Sequence, residues 1–147
     1  MTTTLYRTAA TSTGEGRAGG RATTEDGLLD VTLAIPSSMG GPGGATNPEQ
    51  LFAAGWASCF HSALKLVAAQ QKAPLGDSSV TAEVWLTKTE AGLGLNAALR
   101  IQVDAESTQQ AAEALVAAAH EVCPYSVATR GNVPVTLTTT LTTTSAA

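Results

Sequence analysis

The sequence predicts an α+β domain of antiparallel strands around a long buried central helix plus a second helix, in the order strands, helix, hairpin, helix and last strand. Three observations carry this. Two stretches near the middle alternate apolar and polar residues with a period of two. One segment of about two dozen residues is apolar on most sides, and an Ala-rich segment follows the alternating pair. No repeat or linker divides the 147 residues, so residues 1–147 are read as a single domain.

Each element has its own signal. Thr4 to Ile35 is rich in Thr, Val and Leu and broken by glycines, the pattern of short strands and turns; Leu29, Val31, Leu33 and Ile35 form one apolar face. The Gly- and Pro-rich run from Pro36 to Ala45 is a loop; it lacks the Lys-Ser/Thr ending of a phosphate loop. At Thr46-Asn47-Pro48-Glu49 the chain offers an N-cap, a proline for the first helical position and a carboxylate for the positive helix end. A helix is expected from there to about Lys72, and its all-round apolarity predicts burial. Val80, Ala82, Val84 and Leu86 then alternate with polar residues, and Leu95, Ala97, Leu99, Ile101 and Val103 do the same beyond Ala91-Gly92-Leu93-Gly94, predicting a hairpin. Ser107, with Gln110 three residues later, is the expected cap of a second helix that ends near Cys123, because Pro124 cannot continue it. Val133, Val135 and Leu137 open a last strand running to about Thr144.

Composition narrows the function. With 44% apolar and 14% charged residues the chain has a globular balance. A net charge of −4 with scattered Lys and Arg provides no basic stripe, so nucleic acid and membrane are not expected partners. The first residues lack a secretory pattern, which makes the cytoplasm the expected compartment. There, two cysteines are not a structural disulfide framework.

Chemistry centres on Cys59 and Cys123. A thiol in an apolar helix is held neutral by burial, so Cys59 needs a nearby cation to react. Arg17, in Gly-Glu-Gly-Arg-Ala-Gly-Gly-Arg, can approach a ligand closely, and Glu49 could hold its guanidinium with two hydrogen bonds. Such a set would lower the Cys59 pKa and orient a peroxide for attack by sulfur. Cys123, at the C-terminal end of its helix, suits a resolving cysteine better than a first nucleophile. Cys59, His61, His120 and Cys123 also form a possible zinc set, although i and i+2 on a helix diverge. A non-enzymatic zinc or apolar-ligand module, a Cys-His dyad and plain buried packing all remain open on residue types alone.

The segment from Thr46 through Asn47-Pro48-Glu49-Gln50-Leu51-Phe52 to Trp56-Ala57-Ser58-Cys59-Phe60 resembles the first cysteine motif of the organic hydroperoxide resistance family. Ala119-His120-Glu121-Val122-Cys123-Pro124-Tyr125-Ser126, with Ala128 to Asn132, resembles its second, and Gly16-Arg17 resembles its arginine loop. The resemblance implies the osmotically inducible protein C-like fold, an intertwined homodimer, and a thiol peroxidase with no bound cofactor or metal. Cys59 would be the peroxidatic cysteine, Cys123 the resolving one, Arg17 the activator and Glu49 its holder. Organic hydroperoxides would be the substrates and dihydrolipoyl groups on lipoylated proteins the external reductant, in an antioxidant role. Phe52 and Phe60 are the expected apolar walls of the substrate pocket. Trp56 stands where the family usually has Tyr, and Val127 where it often has Asn.

Overall fold

A computed structural model describes residues 1–104 and 106–142. Their contacts cluster into two compact units, one ending at Leu51 and one beginning at Phe52, and each is described by itself.

In the first unit, β1 (Ala10–Thr13), β2 (Arg21–Thr24) and β3 (Asp30–Thr32) form an antiparallel sheet in chain order. The β-rich reading of this region therefore holds, although β3 is shorter than the alternation from Leu29 to Ile35 implies. Leu33 instead makes an isolated bridge to Thr46. The unit ends with the start of α1 (Pro48–Gln70). Asn47 caps that helix as expected, its side-chain oxygen accepting from the Gln50 N–H at 2.9 Å.

The second unit holds the rest of α1, then β4 (Ser78–Thr89), β5 (Gly92–Asp104), α2 (Gln109–Val122), α3 (Pro124–Thr129) and β6 (Val135–Thr142). β4 and β5 form the expected antiparallel hairpin, but it turns earlier, with Thr89 already opposite Gly92. β6 departs from an all-antiparallel sheet by running parallel to β5. The cause is the connection: α2 and α3 carry the chain back along the sheet, and such a crossover delivers the next strand in the same direction. The expected continuation of β6 through Thr143 and Thr144 lies outside the described residues.

The core of this unit is built from three faces. β5 contributes Ala97, Leu99, Ile101 and Val103, the inward half of its alternation. α1 contributes Trp56, Phe60, Ala63, Leu64, Val67 and Ala68, and α2 contributes Ala112, Leu115, Val116 and Ala119. Each large side chain so buried stabilises the fold by about 1.5–3 kcal/mol. α1 is long and apolar enough to cross a membrane by length and composition, yet Trp56, Phe60 and Leu64 are enclosed in this core. The helix is not covered all round, however: Leu66 is 54% exposed, along with Ala54, Ser58 and Ser62. The apolar sequence overstated burial because sheet and α2 cover one side of a cylinder.

The cap of α2 is Thr108 rather than Ser107, its side chain accepting from the Ala111 N–H at 3.1 Å. Pro124 does stop α2, but it also starts α3 as that helix's first residue. Cys123 is thus the joint between two helices, with its own N–H bonded to the Ala119 carbonyl and its carbonyl accepting from Val127. Arg130 follows α3, and its guanidinium donates to the His120 carbonyl at 2.7 Å and pairs with Glu121.

Candidate active site

Arg17 sits in the tight loop between β1 and β2. Gly20 permits that loop, since a Cβ there would lie 2.2 Å from the Thr13 carbonyl oxygen and 2.7 Å from the Gly16 nitrogen. The Arg17 guanidinium donates to both carboxylate oxygens of Glu49, Nη2 to Oε1 at 2.7 Å and Nη1 to Oε2 at 3.1 Å. This two-pronged pair is the one expected from the sequence. Hydrogen bonding from Arg17 holds the Glu49 carboxyl below its usual range, against a smaller opposing effect of burial. Arg21, by contrast, is spent on an exposed pair with Asp30.

In the second unit the two thiols are neighbours and both are free. Cys59 is partly exposed on α1, whereas Cys123 is fully buried. Burial pushes the Cys59 thiol up; a hydrogen bond from the Tyr125 N–H pulls it down, and the adjoining Cys123 thiol raises it further. The net direction is upward, opposite to the lowering expected of an activated cysteine. Two adjacent thiols resist ionisation, so the reduced pair by itself is a poor thiolate. The dipole argument against Cys123 also loses force, because α3 begins where α2 ends. Exposure now distinguishes the two: a solute can meet Cys59, whereas Cys123 is buried beside it.

Cys59 opens onto an apolar cleft of about 330 Å³ whose walls are Ser62, Ala63, Leu66, Val122 and Pro124. Phe60, expected as a pocket wall, is fully buried and belongs to the core, because one residue along a helix turns the side chain about 100° away from Cys59. Phe52 is partly buried and does not line this cleft either: it meets Trp56 edge-on, with ring centres 5.7 Å apart, and lies 6.3 Å from the Tyr125 ring.

The family model for OsmC-like proteins matches residues 41–138. An organic hydroperoxide resistance protein of Xanthomonas axonopodis pv. citri (strain 306) is 50% identical over 136 residues, covering 91% of this chain and 94% of its own. The chain belongs to the organic hydroperoxide resistance proteins of the OsmC-like family. Its fold agrees with theirs. A crystal structure of an organic hydroperoxide resistance protein from Legionella pneumophila is 52% identical, with a TM-score of 0.88 over 94% of this chain and 99% of its own. That of OhrB from Bacillus subtilis, 42% identical, has a TM-score of 0.83 over 93% and 100%.

Within this OsmC-like chain, Arg17 and Glu49 are brought together in the first unit, and Cys59 and Cys123 in the second. The four groups weighed as zinc ligands are not gathered. His61 Nε2 bonds to the Ser78 hydroxyl at 2.9 Å, and His120 lies 6.3 Å from the Phe60 ring. Among the described residues no three His, Cys, Asp or Glu side chains cluster as a metal site. Burial chiefly, with help from Arg130, lowers the His120 pKa and favours its neutral form.

The sequence reading missed the Tyr125 N–H, the cleft walls and the partner of Trp56. Helical spacing was the available signal: Ser62, Ala63 and Leu66 follow Cys59 at i+3, i+4 and i+7.

Proposed function

We propose that this protein is a cysteine-based peroxidase that reduces organic hydroperoxides to alcohols and so protects against oxidative stress. The observation that carries the reading is a partly exposed cysteine in an apolar cleft with a buried free cysteine as its neighbour. The Cys59 thiolate attacks the distal peroxide oxygen. The O–O bond breaks, the alkoxide takes a proton and leaves as alcohol, and Cys59 becomes a sulfenic acid. Cys123 then attacks that sulfur; water leaves and a Cys59–Cys123 disulfide forms. A dihydrolipoyl dithiol on a lipoylated protein returns two electrons by thiol–disulfide exchange and is itself oxidised to the cyclic disulfide.

The raised Cys59 pKa requires an activator, and Arg17, oriented by Glu49, is the cation assigned to that role. Apolar walls favour alkyl or lipid hydroperoxides over hydrogen peroxide. We further assign the active form to a cytoplasmic homodimer that needs no bound cofactor.

The test is consumption of tert-butyl hydroperoxide and of hydrogen peroxide by the purified protein with a lipoyl dithiol. Faster turnover of the organic substrate, abolished in Cys59→Ser, is expected. Full turnover by Cys59→Ser would eliminate the mechanism.

A further inference from the structure

We propose that the buried hydrogen bond between Trp56 and Ser126 is a cross-brace that sets the geometry of the two thiols, making both residues positioning residues for disulfide formation. This rests on the peroxidase reading for its role in catalysis, but the geometric claim stands apart from it.

Trp56 Nε1 donates to the Ser126 hydroxyl at 3.2 Å, between residues 70 apart in sequence and both 0% exposed. Trp56 lies three residues before Cys59 on α1, and Ser126 three residues after Cys123 on α3. Trp56 and Cys59, at i and i+3 on α1, adjoin on one face, and Cys123 is the N-cap of the helix whose third residue is Ser126. The bond therefore joins the two elements about one turn away from the sulfur atoms on either side.

The surrounding contacts make this join stiff. Phe52 packs edge-on against Trp56 and also meets the Tyr125 ring. Tyr125 in turn lies on the backbone of α1 at Gly55, where an added Cβ would come within 2.9 Å of its hydroxyl. Phe52, Gly55, Trp56 and Cys59 fall at i, i+3, i+4 and i+7, so one stripe of α1 meets Tyr125, Ser126 and Cys123 of the facing segment.

Filling this space would not require a polar pair. Apolar side chains of similar volume could fill it without burying an indole N–H and a hydroxyl, each of which costs free energy unless matched. What the pair adds is direction: a hydrogen bond limits the relative placement of α1 and α3 more narrowly than apolar contact does. Disulfide formation needs such placement, because cysteines with Cα atoms more than about 7 Å apart cannot be bridged without backbone movement. A misplacement of about 1 Å can cost an intramolecular step up to about 100-fold.

The experiment uses the full-length protein as Trp56→Phe, Ser126→Ala and the double variant, with two readouts. First, each is equilibrated in mixtures of reduced and oxidised dithiothreitol, and the Cys59–Cys123 disulfide fraction is read by intact mass; the effective thiol concentration should fall on the order of tenfold. Second, each reduced protein receives tert-butyl hydroperoxide, and the ratio of Cys59 sulfinic acid to disulfide should rise by a similar factor. The double variant should resemble either single one, since the bond is lost once. A role confined to folding would lower the melting temperature and leave both readouts unchanged, which would overturn the proposal. So would additive effects of the two substitutions. The double variant leaves neither partner unsatisfied, and its failure to fold would likewise reduce the bond to a structural one. If the wild type consumed no hydroperoxide, the functional reading would fall while the dithiothreitol equilibrium still decided the brace.

Discussion

Glu49→Gln removes one charge and almost no volume, and its effect can be worked out from the Arg17 pair. The carboxylate accepts two hydrogen bonds, at 2.7 and 3.1 Å. A carboxamide has one oxygen to accept with, and its NH2 group faces a guanidinium that only donates, so one of the two bonds becomes a donor–donor contact. Hydrogen bonds to charged groups are worth about 1.5–3 kcal/mol. Arg17 is 36% exposed in its side chain and Glu49 16%, so solvent screening reduces the loss to about 1–1.5 kcal/mol. That corresponds to roughly a tenfold fall in the population with Arg17 correctly held. If the held arginine activates Cys59, kcat/KM for cumene hydroperoxide should fall by about the same factor. Rapid-mixing measurements on prereduced protein, with Cys59 alkylation followed against pH, test this. Because the Glu49 pKa is depressed by Arg17, the pair's contribution to stability is complete above the ordinary carboxylate range and lost only as pH falls through the lower, folded value. Glu49→Gln should lack that acid-dependent loss. Unchanged kcat/KM in a variant as stable as the wild type would refute Glu49 as the holder of a catalytic arginine.

Three further outcomes follow from other contacts. Cys123→Ser should consume one equivalent of organic hydroperoxide to give the Cys59 sulfenic acid and, with excess hydroperoxide, a second equivalent to give the sulfinic acid, and then stop; sustained turnover with a lipoyl dithiol, measured by peroxide assay, would show that resolution does not need Cys123. Gly20→Ala forces a methyl group into the backbone of the Arg17 loop and should cost about 1–3 kcal/mol while lowering activity as Glu49→Gln does; wild-type activity and melting temperature would contradict the close approach. Phe60→Ala should lower stability by about 3–5 kcal/mol in urea titration, because Phe60 is core rather than pocket wall. A raised KM at unchanged stability would reverse that assignment.

Much of this was legible in the sequence because it depends on local rules. Alternation located β4 and β5 and the face that β5 buries, and Asn47-Pro48-Glu49 located the start of α1. The Arg17–Glu49 pair could be reached from charge chemistry, since an arginine among glycines and a first-turn carboxylate are complementary. What could not be read depends on what each face meets. All-round apolarity of α1 could not reveal that Leu66 would line an open cleft while Phe60 entered the core. Pro124 was visible as a stop but not as a new start, and that hid the joint at Cys123. The parallel β5–β6 pairing was hidden as well, because strand direction is set by the path of the intervening helices and not by the strand's own residues.

The placement of the two cysteines in the chain has a thermodynamic consequence. They are 64 residues apart, and the hairpin and α2 lie between them. Closing a bond between them would ring that whole stretch and remove conformational freedom from the unfolded chain, an effect of about 4 kcal/mol for an unstrained loop of this length. Oxidation would then leave the molecule harder to unfold, and each reduction would return it to a form closer to its melting point. Turnover would be accompanied by a cycle of resistance to heat and proteolysis, so an oxidised and a reduced sample of the same protein would differ in lifetime as well as in chemistry.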